Sequence, residues 1–273
     1  MDQLKVLHDV VAWARREDNI RVVVLTGSVA RGEQAFDELS DVDLELYVTN
    51  ASELLDHDVW YEQFGDVLVV EALENPGWHP TRLVYYADGK IDFMIAPTSV
   101  LAGGVFYERP FKLLLDKDNA HDALQRRMPL ARPPDAGEFL QCVHWFHAAA
   151  IMWATHLARN DAWPAKLRDC DSKKLLLKML EWDHKARKGW DFDTWFHGAH
   201  LREWADPELA DAVDACWSGL SRQDSAQALL NSLSLFDALS TRTAIALGVQ
   251  SFDSGRVRQR IERLLAAISA GRP

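Results

Sequence analysis
Apolar positions first recur at helical spacing: Leu4, Leu7, Val11 and Ala14 share one face of residues 2 to 17, which predicts an amphipathic helix. Directly after it, IRVVVLT (20 to 26) is a β-branched run ending at Gly27, the pattern of a buried strand closing in a turn. Residues 28 to 33 have room for a short helix. DVDLELYV (41 to 48) then alternates strictly, with Val42, Leu44, Leu46 and Val48 on one face and Asp41, Asp43, Glu45 and Tyr47 on the other. Three more strands are predicted at DVLVVEAL (66 to 73), TRLVYYA (81 to 87) and KIDFMIA (90 to 96), the last two joined by an Asp88-Gly89 hairpin signal. Together they make a mixed sheet of about five strands.

The pattern changes at RMPLARPPDAGEF (127 to 139), where Pro129, Pro133 and Pro134 interrupt both periodicities. Beyond it the chain reads as helices only. Asp135 and Glu138 form a capping box for a helix reaching about Arg159; Asp171 is a cap for the helix that ends before Gly189, and Asp224 and Asp253 for the last two. The boundary is therefore placed after residue 132, giving an α+β domain over 1–132 and an all-α bundle over 133–273.

Composition narrows the function classes. With 273 residues and 48% hydrophobic content the chain has material for two cores. Its formal charge of −11 argues against a nucleic-acid partner held through phosphates and suits a cationic ligand. Cys142, Cys170 and Cys216 are far apart and odd in number, which predicts inert thiols and no disulfide framework. No signal-peptide core and no apolar run of the ~18 residues that span a bilayer are present, so the expectation is a cytoplasmic protein without a membrane partner. The oligomeric state is left open, with a monomer favoured.

The chemistry concentrates early in the chain. Residues two apart on a strand point the same way, so Asp41 and Asp43 project into one cleft as a carboxylate pair suited to Mg2+, which prefers oxygen ligands and shares its shell with substrate phosphates. Gly27-Ser28, closing the preceding strand, offers backbone N–H groups and a hydroxyl to phosphate oxygens. Asp92 sits between Ile91 and Phe93, an expensive place for an acid unless it binds a metal or moves a proton. Lys174, Lys178, Glu181 and Lys185 form a polar stripe on a helix whose Leu175, Leu176, Met179 and Leu180 pack inward. His144 and His147 read as packing histidines, and the many tryptophans of the second half as bulk between helices, one or two of them available to cover an acceptor sugar or cation.

Gly-Ser after a strand, Asp-x-Asp on the next and a third strand acid resemble the polymerase-β-like nucleotidyltransferases. GKIDFMIAP (89 to 97) and LLLKMLEW (175 to 182) followed by Gly189 are similar to segments of the aminoglycoside 6-adenylyltransferases, the streptomycin-modifying enzymes of that superfamily. The segment VARGEQAFDELS after Gly-Ser departs from that family and is closer to other nucleotidyltransferase branches. The resemblance implies AMP transfer from ATP to an aminoglycoside hydroxyl, with Mg2+ on Asp41 and Asp43, Asp92 as metal ligand or proton acceptor, and Gly27, Ser28, Arg31 and Lys178 around the phosphates. Lys178 would also offset charge on departing pyrophosphate. Nucleotidyl transfer to a lincosamide or a protein, or an inactive nucleotide-binding or antitoxin-like module, are the alternatives; the three retained acids disfavour the last.

Overall fold
In the computed structural model, residues 2–32, 36–127 and 132–269 are described, with side chains to residue 266. The chain divides into two compact units, Met1–Pro129 and Leu130–Pro273.

The first unit is built on a six-stranded mixed sheet. Its strands are β1 (Ile20–Thr26), β2 (Val42–Val48), β3 (Val67–Leu73), β4 (Thr81–Tyr86), β5 (Gly89–Pro97) and β7 (Lys112–Asp116), in the order β3-β4-β5-β2-β1-β7. β6 (Val105–Tyr107) and β8 (Leu124–Arg126) pair separately. The β2/β5 pair is parallel and the other pairs of the large sheet are antiparallel. β7 escaped the sequence reading because KLLLD is short and does not alternate. The hairpin before β5 turns through Ala87 and Asp88, with Gly89 already paired to Tyr86, one residue earlier than the Asp-Gly signal implied.

Helix α1 (Gln3–Arg16) covers one sheet face with Val6, Leu7, Val10, Trp13 and Ala14, while Leu4 is 59% exposed. The apolar stripe is thus rotated from the expected one, because Trp13 takes the central place by stacking on Trp60 at 5.2 Å. Val42, Leu44, Leu46 and Val48 enter the same core, as their alternation requires. The short helix α2 spans Gly27–Ala30, and α3 spans Ser52–Leu55; of the stretch expected to be helical, Glu33 lies outside the described residues.

The second unit holds α4 (Ala136–Ala158), α5 (Ala162–Lys188), α6 (Leu201–Trp204), α7 (Pro207–Asp214), α8 (Arg222–Leu247) and α9 (Gly255–Ser269). The Asp135/Glu138 capping box starts α4. Asp171 is not a cap: α5 begins at Ala162, nine residues before it, and Asp171 lies within the helix, ion-paired to Arg168 at 3.1 Å. Continuous burial of Ala165, Asp169 and Ser172 against the bundle carries the helix past the polar residues that looked like a start. Ser221, not Asp224, caps α8 by accepting from the Asp224 N–H, and Asp253 accepts from the Gly255 N–H just before α9.

Phe139, Phe146, Trp153 and Phe236 are fully buried here, and Phe146 stacks on Phe236 at 3.7 Å. Three tryptophans expected to pack between helices do not: Trp145, Trp163 and Trp217 are exposed. Cys170 is exposed, whereas Cys142 and Cys216 are buried. Buried His147 faces the Val143 carbonyl with Nδ1 and the Asp237 carboxylate with Nε2, which is a packing role; His144 lies against Phe252. No helix among the described residues is long and apolar enough to cross a membrane.

Candidate active site
The parallel register of β2 and β5 sets Asp43 beside Asp92, and the antiparallel register of β1 and β2 sets Asp43 opposite Thr26, the last residue before Gly27. Asp41 stands one residue before β2 and shares its face with Asp43. One carboxylate oxygen from each of Asp41, Asp43 and Asp92 lies within 4.8 Å of the others, the only such group of potential metal ligands among the described residues. Three anionic oxygens this close repel one another unless cations share the space.

Gly27 is required by this arrangement. Its φ is +68°, and a Cβ there would come 1.8 Å from Asp43 Oδ2, so the Asp43 carboxylate lies against bare backbone. Ser28 Oγ and Asp92 Oδ1 are buried and have no hydrogen-bond partner. Such atoms are costly when left alone and are satisfied when a metal, phosphate or substrate hydroxyl arrives. An all-oxygen donor set with two waiting polar atoms fits a hard divalent cation such as Mg2+.

The electrostatics agree. Burial, reinforced by Asp41 and Asp92, pushes the Asp43 carboxyl up to about 6, with Lys90 and Arg31 opposing. Burial also raises Asp92, against the pull of Lys90. Arg31, half-buried just after α2, is thus near enough for its charge to act on Asp43. Lys178 belongs to the helical unit, where it is exposed on α5 with its ammonium 4.7 Å from the Trp182 ring centroid. Gly27, Ser28, Asp41, Asp43 and Asp92 are therefore brought together, with Arg31 at their edge.

The sequence reading gave no role to Lys90. Its Nζ donates to Asp41 Oδ2 at 3.1 Å and to Asp92 Oδ2 at 2.8 Å. Burial alone would lower its ammonium, but the bonds to Asp92 and Asp41 outweigh it and raise it to about 12. The available signal was spacing: Lys90 precedes Asp92 by two positions on a strand and so shares its face. Glu45 was also missed. It lies on the Asp41/Asp43 face of β2, and its Oε2 accepts from the hydroxyls of Tyr107 (2.5 Å) and Tyr47 (2.8 Å).

A family model described as streptomycin adenylyltransferase matches residues 2–262. An aminoglycoside 6-adenylyltransferase of Campylobacter jejuni is 23% identical over 261 residues, covering 90% of this chain and 90% of the relative. The aminoglycoside 6-adenylyltransferase of Bacillus subtilis (strain 168) is 24% identical over 260 residues, 89% of this chain and 91% of that one. A crystal structure of an aminoglycoside 6-adenyltransferase from Bacillus subtilis aligns over 99% of this chain and 98% of its own with 19% identity and a TM-score of 0.46. With the family match running through both units and across the acidic strands, the chain belongs to the streptomycin adenylyltransferase family of nucleotidyltransferases.

Proposed function
We propose that the protein transfers AMP from ATP to a hydroxyl of a cationic aminoglycoside of the streptomycin type, with Mg2+ as metal. The observation that carries this reading is the convergence of Asp41, Asp43 and Asp92 beside the Gly27-Ser28 turn. Asp41, Asp43 and Asp92 would hold Mg2+, which when bound supplies Lewis-acid charge to phosphate oxygens. Ser28 Oγ, buried and without a partner, donates to a phosphate oxygen in the nucleotide complex. Arg31 neutralises phosphate charge at the edge of the same group.

Asp92 is the residue assigned to the acceptor hydroxyl. Its Oδ1 is buried and without a hydrogen-bond partner, and burial raises its proton affinity, so the carboxylate is a better proton acceptor than an exposed one. The hydroxyl oxygen attacks the α-phosphorus as its proton passes to Asp92; the bond to the pyrophosphate oxygen breaks, and AMP is joined to the acceptor. The net charge of −11 suits a guanidinium-bearing acceptor, since carboxylates pair well with planar guanidinium donors.

Purified full-length protein with MgATP is expected to release pyrophosphate on addition of streptomycin and much less with lincomycin, which carries little positive charge, and mass spectrometry should find the adenylylated drug. Release with lincomycin alone would overturn the acceptor assignment but not the transfer chemistry. Silence with every aminoglycoside tested would overturn the acceptor class.

A further inference from the structure
Lys90 occupies an unusual position for a cation. Extending the β2/β5 register by one residue sets it beside Asp41, the β4/β5 register sets it opposite Tyr85, and its place two residues before Asp92 puts it on that residue's face. Its ammonium bridges Asp41 Oδ2 and Asp92 Oδ2, and lies 5.5 Å from the Tyr85 ring centroid. Asp43 accepts no bond from it; Asp92 Oδ1 remains buried and unpartnered. A single side chain thus takes one oxygen from two of the three candidate metal ligands.

We propose that Lys90 is an internal counter-ion and positioning residue: it holds Asp41 and Asp92 together in the metal-free protein, and a divalent cation displaces its ammonium toward the Tyr85 ring on binding. This rests on the metal reading above and adds a device to it. Even with Arg31 at the edge, the three carboxylates outnumber the nearby cations, so the cluster keeps a net negative charge that attracts a divalent ion. Mg2+ takes oxygen ligands at about 2.0–2.1 Å, and an ammonium bonded to Asp41 Oδ2 and Asp92 Oδ2 competes for the same oxygens. Lys90 therefore weakens capture of the free ion and favours entry of a metal that arrives with phosphate charge attached. The Tyr85 ring face, already within cation–π range, is the alternative partner for the displaced ammonium.

The test is Mn2+ binding by the full-length protein without nucleotide, followed by the electron paramagnetic resonance of the free ion. Lys90→Met should bind Mn2+ about tenfold or more tightly than the wild type, because a competing positive charge is gone while the aliphatic stem remains. Lys90→Arg, which keeps the charge, should stay within about threefold of the wild type. Equal or weaker binding by Lys90→Met overturns the proposal while leaving the metal reading intact; a wild type whose Mn2+ binding is unaffected by Asp43→Asn overturns both. Since the Met variant could fail to fold, the wild type supplies a second measurement: reductive methylation of Lys90, quantified by mass spectrometry, should rise severalfold on Mn2+ saturation. Unchanged labelling would show that the ammonium stays on the carboxylates, and the displacement would be wrong.

Discussion
Replacing Asp43 with Asn is expected to destroy metal binding and, in the metal-free protein, to raise stability. Asp43 is half-buried, packed against the Gly27 backbone and flanked by two other acids, which lifts its carboxyl from the ordinary 3.8 to about 6. At about 1.36 kcal/mol for each pH unit of that difference, ionised Asp43 costs the folded state up to about 3 kcal/mol. Solvent access to the cluster screens part of this, so about 1–2 kcal/mol is the expected size. The folded protein binds this proton more tightly than the unfolded chain. Stability is therefore greatest below 3.8, falls as pH rises toward about 6, and carries the full penalty above it. Asn removes the penalty with little change in volume. For a unit of this size each kcal/mol moves Tm by about 4 °C, so Asp43→Asn should melt about 4–8 °C above the wild type at pH 8 in EDTA, with the gap closing by pH 4. Calorimetry of the full chain is the assay, repeated with saturating Mg2+, which should stabilise the wild type and leave the variant unmoved. A variant less stable than the wild type at pH 8, or a gap that persists at pH 4, would refute the reasoning.

Gly27→Ala should cut turnover at least ~10²-fold and weaken Mn2+ binding, because the new methyl would sit 1.8 Å from Asp43 Oδ2 on a backbone at φ +68°; near-normal kinetics would mean that Asp43 can move away at no cost. Asp92→Asn should also lower turnover ~10²-fold; calorimetry with a nonhydrolysable ATP analogue then separates a proton acceptor, which leaves nucleotide affinity intact, from a metal ligand, which does not, and no change in either measure would exclude both roles. In the helical unit, Asp183 is buried and accepts from Arg242 Nε at 2.5 Å and NH2 at 2.6 Å and from Arg187 at 3.1 Å. Asp183→Ala takes this partner from Arg242, which is 48% exposed, while Arg187 keeps Asp206 at 2.7 Å, so it should cost about 1–2 kcal/mol by urea unfolding, and no measurable loss would show that both arginines are satisfied without Asp183.

Local periodicity was enough to read the first five strands and the α4 cap, since alternation and capping depend on neighbours within a few residues. Length of α5, the cap of α8 and the exposed face of α1 were not readable in that way: each is decided by what packs across from it, as Trp60 against Trp13 and the bundle against Ala165 and Asp169. Trp145, Trp163 and Trp217 show the same limit, because size alone does not tell which helix face a neighbour covers.

The candidate site divides along the same line. By itself the sequence determined that Asp41 and Asp43 share a face, that Gly-Ser ends a strand and that Asp92 is an acid in an apolar run, since a two-residue repeat fixes side and polarity within one strand. Only the tertiary structure decided that these strands are neighbours in parallel register, which brings the three carboxylates within 4.8 Å. The same pairing packs Asp43 against Gly27 and turns Lys90 from a surface-like charge at a strand start into the cation shared by Asp41 and Asp92. Strand pairing is a long-range choice made by burial of whole faces, and an ion pair across 49 positions, Lys90 to Asp41, exists only after that choice is made.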